Sequence, residues 1–309
     1  MNPDLSHFGA LAAAVGATPL VELTAGLGLA PPLRLFAKLE SVNPGASIKD
    51  RPVLRMLQAG IAAGALAGGR RVLDSSSGNA GISYAMLGAA LGVPVSIVVP
   101  GNASAERLAR IHAHGAELIL TDPLEGYDHA LRTAQALAAQ YPERYWYCNQ
   151  YANAENWRAH YDGTGAEILR QLQALDLHAD CFVAGVGTGG TLTGVARRLR
   201  EAHPGLAVYA AIPDAFPGIE GLKPLGAAGD IVPDILDASL IDERIGISAE
   251  HAVAMCRRLA ALGLFVGPSS GAYVHTALAV ARSGRHRTIV TILSDSGERY
   301  LSVGLWPAG

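Results

Sequence analysis

The chain has 309 residues, half of them hydrophobic and 17% charged, with a formal net charge of −3. That length allows one large or two ordinary domains, and that balance excludes a disordered chain. A slightly acidic chain exerts no bulk electrostatic pull on nucleic acid or on an acidic membrane. The three cysteines, Cys148, Cys181 and Cys256, lie far apart and form no C-x-x-C pair. The sequence therefore carries no cysteine-based zinc or redox motif, and sparse cysteine fits a reducing cytoplasm. Cys148 and Cys181 sit in apolar runs and are expected to be buried as small hydrophobes. Met1 to His7 lacks the basic and apolar blocks of a secretory leader, and the alanine-rich run at 10–14 is too short to span a bilayer. His112 and His114 are expected at a solvated helix end.

In chain order, residues 33–39 read as a strand and 48–64 as a helix, with Ser47 as N-cap and Pro52 in the first turn, where a missing N–H costs little. A strand at 71–74, a loop at 75–80 and an Ala/Leu-rich helix at 81–92 follow. Next come a strand at 93–99, a helix at 104–114 stopped by Gly115, a strand at 116–121, a helix at 127–140 and a strand at 145–149. A helical stretch covers about 155–173. The pattern then restarts with a strand at 181–186, a Gly/Thr loop at 187–191, a helix at 192–202 and a strand at 206–212. Residues 213–246 are rich in Pro, Gly and Asp and read as irregular, a candidate mobile or interface segment. A helix at 248–262, strands at 264–267 and 288–293, a helix at 270–282 and a short helix near 298–303 complete the chain. Strand, loop and helix in alternation predict α/β architecture: two doubly wound, mostly parallel sheets, one centred on 40–150 and the other on 150–309. Ligands of such sheets sit at the carboxyl ends of the strands.

Four stretches carry chemistry. The first is Asn43-Pro44-Gly45-Ala46-Ser47-Ile48-Lys49-Asp50-Arg51. Lys occurs only at 38, 49 and 223, so nearly all of the 24 basic residues are Arg. Arg cannot form a Schiff base, so a Lys in a Gly/Ser-rich turn before a helix is a candidate for covalent chemistry, against the bland reading of a surface Lys. The second is Asp74-Ser75-Ser76-Ser77-Gly78-Asn79-Ala80-Gly81, a strand-to-helix loop whose N–H groups and hydroxyls can seat an anion. The third is Gly185-Val186-Gly187-Thr188-Gly189-Gly190-Thr191. It reads as a dinucleotide fingerprint with Asp214 as a ribose ligand, or as a cradle for one phosphate with two threonine donors. The fourth is Ser294-Asp295-Ser296-Gly297-Glu298-Arg299-Tyr300, which sets a hydroxyl or carboxylate at a strand end, or simply caps a helix. One lysine amine, a monophosphate cradle, a carboxylate seat and a polar strand-end residue are the parts that pyridoxal phosphate requires.

The segments NPGASIKDR, SSSGNAG, NQYAN, GVGTGGTLTGV and SDSGERYLS, with TPLVEL near the start, resemble the cysteine synthase group of fold-type-II pyridoxal-phosphate enzymes. FPGIEGLKPLG and the short C-terminus look more like the B-type synthases. The resemblance implies a tryptophan-synthase-β-like fold, with a smaller domain at 36–146, a larger one at 1–35 plus 147–309, and pyridoxal 5′-phosphate in the cleft between them. It implies that Lys49 forms the Schiff base and that Asn79 bonds the cofactor's ring oxygen. Gly187, Thr188, Gly189, Gly190 and Thr191 would hold the phosphate. Ser296 would face the pyridine nitrogen as a neutral partner, although Asp295 is adjacent and would reverse that argument. Ser76, Ser77, the backbone at Gly78, Ala80 and Gly81, and Gln150 would bind the substrate carboxylate. Ala80 stands where the family commonly has Thr, which removes one hydroxyl from that seat. Lys223 would meet the leaving group.

The implied reaction makes L-cysteine from O-acetyl-L-serine and sulfide in a cytoplasmic homodimer. O-phosphoserine as substrate, a thiocarboxylated sulfur-carrier protein as donor, and a cystathionine- or diaminopropionate-type synthase are the alternatives within the family. An NAD-dependent oxidoreductase built on the glycines at 185–190 is the alternative from another class, and a non-catalytic protein that kept the fold is a third.

Overall fold

The computed structural model describes residues 5–76, 78–225 and 231–306. In chain order the elements are α1 (Leu5–Ala13), β1 (Leu20–Glu22), β2 (Arg34–Leu39), α2 (Asp50–Ala62), β3 (Arg71–Ser75), α3 (Asn79–Leu91), β4 (Val95–Pro100), α4 (Ala105–Ala113), β5 (Glu117–Thr121), α5 (Gly126–Gln140) and β6 (Tyr145–Tyr147). There follow α6 (Ala154–Ala159), a π-helical segment (His160–Gly165), α7 (Ala166–Gln173), β7 (Cys181–Gly185), α8 (Gly190–Ala202), β8 (Ala207–Pro213), β9 (Glu243–Ile247), α9 (Ala249–Ala261), α10 (Pro268–Arg282) and β10 (Thr288–Leu293). The chain divides into two units, one of residues 1–15 and 43–156, the other of 16–42 and 157–309.

The first unit carries a four-stranded parallel sheet in the order β5-β4-β3-β6. Every residue of β4 is buried, the signature of a parallel strand covered on both faces. The core joins Val53, Met56 and Leu57 of α2 to Ile82, Leu87 and Leu91 of α3 and to Val95, Ile97 and Val99 of β4. α3 is buried nearly all round. Gly88 permits this contact, because a Cβ there would lie 2.3 Å from Val95 Cγ2. Gly92 ends the helix in the left-handed conformation that favours glycine.

The second unit carries a six-stranded sheet in the order β1-β2-β10-β7-β8-β9, parallel except for β1. Leu35, Cys181, Val183 and Ile289 of the sheet pack with Cys256 and Leu259 of α9 and Val274, Leu278 and Ala281 of α10. Cys148, Cys181 and Cys256 are all buried thiols.

The division falls elsewhere than residues 36 and 146. β2 pairs along its whole length with β10, from Arg34 beside Thr288 to Leu39 beside Leu293, so it belongs to the larger sheet and the chain changes unit after Val42. At the other end the turn after β6 bonds back into the first unit, with Asn156 Nδ2 donating to the Gln150 carbonyl at 2.7 Å.

Two elements differ from the sequence reading. The expected strand at 264–267 is a single bridge between Val266 and Ser296. Gly263, at φ 83°, ends the preceding turn and Pro268 opens α10, leaving no length for a strand. Inside the segment read as irregular, Glu243–Ile247 forms β9 at the sheet edge, largely exposed.

In each sheet the strand order places neighbours of one strand on opposite sides. β3 lies between β4 and β6, and β7 lies between β8 and β10. The crevice at the carboxyl end of such a junction is where open α/β sheets bind ligands. The loops after β3 and β6, and those after β7 and β10, are the chemistry-bearing ones.

Candidate active site

In the first unit Lys49 is the N-cap residue of α2, half-buried, with helical φ −70° and ψ −19°. Ser47 is not the N-cap expected from the sequence, because the helix starts at Asp50. Its Oγ instead accepts the Lys49 N–H at 3.3 Å, two residues along. Ala46 just before it is held at φ 57°, a left-handed conformation that costs a non-glycine residue about 1–2 kcal/mol. The turn is fastened by Asp50, whose buried carboxylate accepts from the Gly45 N–H and from Ser83 Oγ at 2.5 Å. A Cβ at Gly45 would lie 2.2 Å from Asp50 Oδ1, so a side chain there would displace the carboxylate that fastens the turn. Ser83 stands one helical turn from Asn79, the first residue of α3, and its Oγ is 3.1 Å from the Asn79 carbonyl. Asp50 and Ser83 thus tie the lysine turn to the asparagine loop.

That loop leaves the tip of β3. Ser76 is buried, and its Oγ accepts the N–H groups of Gly78 at 3.1 Å and Gly81 at 2.9 Å. Two of the backbone donors expected for a carboxylate are therefore turned onto Ser76, and the hydroxyl proton is what Ser76 itself can offer. Ala80 is buried and presents only a methyl group. A Cβ at Gly78 would lie 2.5 Å from Arg107 Cδ. Ser77 lies outside the described residues. Gln150, after β6, is buried and donates from Nε2 to the Ser75 carbonyl at 2.7 Å. Tyr127 of α5 donates to the same carbonyl at 3.1 Å and stacks on Tyr151.

Behind this seat Asp74 is fully buried. Its Oδ2 accepts from Tyr84 Oη at 2.6 Å and from the Gln150 N–H at 3.0 Å, and its Oδ1 from the Ser75 N–H at 2.8 Å. Burial pushes its pKa up to about 6 against the opposing pull of those donors. Burial and the Asp74 charge together push the Tyr84 hydroxyl and the Cys148 thiol upward.

In the second unit the glycine loop leaves β7 and opens α8. Gly189, at φ 84°, is the N-cap of that helix, and a Cβ there would lie 2.8 Å from Leu236 Cβ. A Cβ at Gly187 would lie 2.5 Å from the Gly221 carbonyl oxygen. Both sites therefore admit only glycine, and the loop presents bare backbone at the start of a helix. Thr188 is buried and Thr191 lies in the first turn of α8. The segment after β8 packs onto this loop twice. The Lys223 N–H donates to the Val186 carbonyl at 2.7 Å, and Thr193 Oγ1 joins the Ile235 carbonyl and the Asp237 N–H at 3.2 and 3.0 Å. At the end of β10, Asp295 is fully buried, accepting from Tyr300 Oη at 2.7 Å, whereas Ser296 is half-buried. Side chains alternate along an extended chain, so Asp295 turns into the protein and Ser296 away from it. Of the remaining lysines, Lys38 is fully buried in an ion pair with Glu167 at 2.7 Å.

Within the first unit the structure gathers Lys49, Ser76, Gly78, Asn79, Ala80, Gly81 and Gln150 around the β3 tip. Within the second, Gly187 to Thr191 and Ser296 stand at the ends of adjacent strands, with Lys223 beside the loop. Asp50 and Asp74 lie inside two of the stretches singled out from the sequence, but nothing there marked them as supports, and Ser83 and Tyr127 lie outside those stretches.

In the second unit the glycine cradle, with threonine hydroxyls at a helix start, fits the phosphate of pyridoxal 5′-phosphate, and in the first unit the half-buried Lys49 is an amine of the kind that its aldehyde takes. A family model described as "Pyridoxal-phosphate dependent enzyme" matches residues 11–295, and the chain belongs to that family. That membership replaces the dinucleotide reading of the glycine loop. The chain is 44% identical over 301 residues to a cysteine synthase of Aquifex aeolicus, covering 94% of this chain and 90% of the relative. It is 40% identical over 299 residues to an N-(2-amino-2-carboxyethyl)-L-glutamate synthase of Ralstonia nicotianae, covering 93% and 86%. A crystal structure of O-ureido-L-serine synthase superposes with TM-score 0.87 at 36% identity, covering 96% of this chain and 94% of that one. Among the described residues no helix is long and apolar enough to cross a membrane, and no group of His, Cys, Asp or Glu is placed to hold a metal ion.

Proposed function

We propose that this enzyme makes L-cysteine from O-acetyl-L-serine and sulfide by replacing the substituent on the substrate Cβ. The observation that carries this reading is the lysine turn fastened through Asp50 and Ser83 to the asparagine loop, which keeps an amine and a carboxylate seat in fixed register within one unit. The products named for the three relatives share one 2-amino-2-carboxyethyl unit and differ in the atom joined to it: sulfur, nitrogen or oxygen. The shared unit supports a common amino-acid half-reaction and leaves the nucleophile as the variable.

Bound pyridoxal 5′-phosphate supplies an aldehyde for amines and an electron sink for charge developing at Cα. Its phosphate is assigned to Gly187, Thr188, Gly189, Gly190 and Thr191, its ring oxygen to Asn79 and its pyridine nitrogen to Ser296. Lys49 anchors the cofactor at rest. As a free amine Lys49 would take the proton from the substrate Cα, the substituent would leave Cβ with its bonding pair, and after sulfide adds at Cβ Lys49 would return a proton to Cα. Ser76, held by the Gly78 and Gly81 N–H groups, donates its hydroxyl proton to the substrate carboxylate, with Ser77, the Ala80 backbone and Gln150 completing the seat. Ser296 neither donates nor withdraws a full charge, so the sink is mild and suits elimination and replacement at Cβ over transamination. Lys223, tethered to the glycine loop, meets the departing group. The working unit is assigned as a homodimer in the cytoplasm with free sulfide as donor.

The test is cysteine formation by the cofactor-loaded protein from O-acetylserine or O-phosphoserine, each with sulfide. Faster turnover of O-acetylserine is expected. Preference for O-phosphoserine would move the assignment to the phosphorylated donor, and no cysteine from either would overturn it.

A further inference from the structure

At the tip of β3 one backbone carbonyl has two side-chain donors where a parallel neighbour would supply one backbone donor. β3 and β6 pair in register from Arg71 beside Tyr145 to Leu73 beside Tyr147, and the Cys148 N–H still donates to the Leu73 carbonyl at 3.0 Å. Two residues on, the same ladder would bring the Gln150 N–H to the Ser75 carbonyl. Asn149, at φ 54°, turns the chain out of line, and the Gln150 N–H goes to Asp74 Oδ2 instead. Ser75 is fully buried, so its carbonyl must be paired from elsewhere. Gln150 Nε2 donates to it at 2.7 Å and Tyr127 Oη at 3.1 Å.

The two donors differ in what holds them. The Tyr127 ring stacks on Tyr151, with centroids 5.9 Å apart, and its hydroxyl also meets Ser75 Oγ at 3.2 Å. Ser75 Oγ can donate to Tyr127 Oη while Tyr127 donates to the carbonyl, so each proton has its own acceptor. Desolvation pushes the Tyr127 hydroxyl well above its ordinary pKa, so it stays a donor. The Gln150 main chain is pinned by Asp74 and by Asn156, but its side-chain amide has the Ser75 carbonyl as its one hydrogen-bond partner among the described residues. Gln150 can therefore exchange partners while Tyr127 stays. We infer that Tyr127 is a positioning residue: it keeps the Ser75 carbonyl paired when Gln150 turns its amide onto the substrate carboxylate, so that the turn leaves no buried acceptor bare. This rests on the assignment of Gln150 to that carboxylate.

The test removes each donor alone and both together. Binding to the cofactor-loaded protein is read from the change in its visible absorption on adding L-alanine, which has the amino-acid carboxylate and no group to lose from Cβ. Stability is read from denaturant titration. Tyr127→Phe leaves the resting carbonyl one donor, so stability should stay near wild type. Alanine binding should weaken about tenfold, and KM for O-acetylserine should rise about as much with kcat within about twofold of wild type. On a Gln150→Met background, where no amide turns, the same substitution should leave alanine binding unchanged and lower the folding equilibrium constant about tenfold. Unchanged binding in Tyr127→Phe alone would mean that Gln150 keeps the carbonyl and offers its second amide proton, and it overturns the inference. An equal loss of binding on both backgrounds, or a loss confined to kcat, overturns it as well. If the double variant does not fold, the binding and the split between KM and kcat in Tyr127→Phe decide the question. Unchanged binding in Gln150→Met alone overturns the assignment of Gln150 itself.

Discussion

The carboxyl edges of the two sheets are built from different materials. In the first unit the edge is made of side chains: Asp74, Ser76, Tyr84, Tyr127 and Gln150 hold one another and the Ser75 backbone. In the second it is made of backbone, with Gly187 and Gly189 so closely covered that no Cβ fits and with the acid Asp295 buried against Tyr300. On the proposed assignment the second edge holds a resident phosphate, the same in every turnover, and bare N–H groups at a helix start suit it. A seat that releases product and accepts fresh substrate needs groups that exchange partners, and hydroxyls and amides do so. The cost falls on the first unit's buried carboxylate, Asp74, whose pKa burial pushes up to about 6.

Three substitutions test this contrast. The largest effect is expected from Lys49→Ala, which removes both anchor and base. Turnover should fall roughly 10³-fold or more, and the visible absorption of the loaded protein should change, with folding intact. Retained turnover would remove Lys49 from the chemistry. Next is Gly189→Ala in the backbone-built edge. Its left-handed φ and the Leu236 contact should cost roughly 2–4 kcal/mol in unfolding free energy and weaken cofactor binding. A stability equal to wild type would show that the loop relaxes freely.

The smallest effect, and one that depends on pH, belongs to Asp74 in the other edge. Its folded pKa of about 6 lies above the ordinary 3.8, so the fold favours the neutral acid. Below about pH 4 both states hold the proton and nothing is lost. Between pH 4 and 6 the unfolded chain releases it first, so stability falls as pH rises, and above 6 the full cost of about 3 kcal/mol is present. The wild-type protein should therefore lose ground to Asp74→Asn between pH 4 and 7 in denaturant titrations. Parallel curves would contradict the burial argument.

Most of the fold was legible because parallel strands under helices leave continuous apolar runs, as in β4 and β10. β9 was not legible, since an exposed edge strand containing Glu243 and Arg244 has no apolar signal. The run at 264–267 has such a signal but sits between a helix stop and a helix start. In the candidate site the motif residues were legible, yet what supports them was not. Asp74 meets Gln150 across 76 positions and Tyr127 meets Ser75 across 52, and no local pattern records such a pairing. The sequence could not choose between Asp295 and Ser296 at the strand end. In the structure the acid is buried against Tyr300 and the serine is half-buried, a difference that no residue pattern records.

The scarcity of lysine has a practical side. With Lys38 fully buried, the side-chain amines open to a reagent are Lys49 and Lys223, both half-buried. Coupling the protein to a surface or a dye through lysine would therefore attach it at the proposed reaction centre. Arginine- or carboxylate-directed attachment would leave that centre untouched.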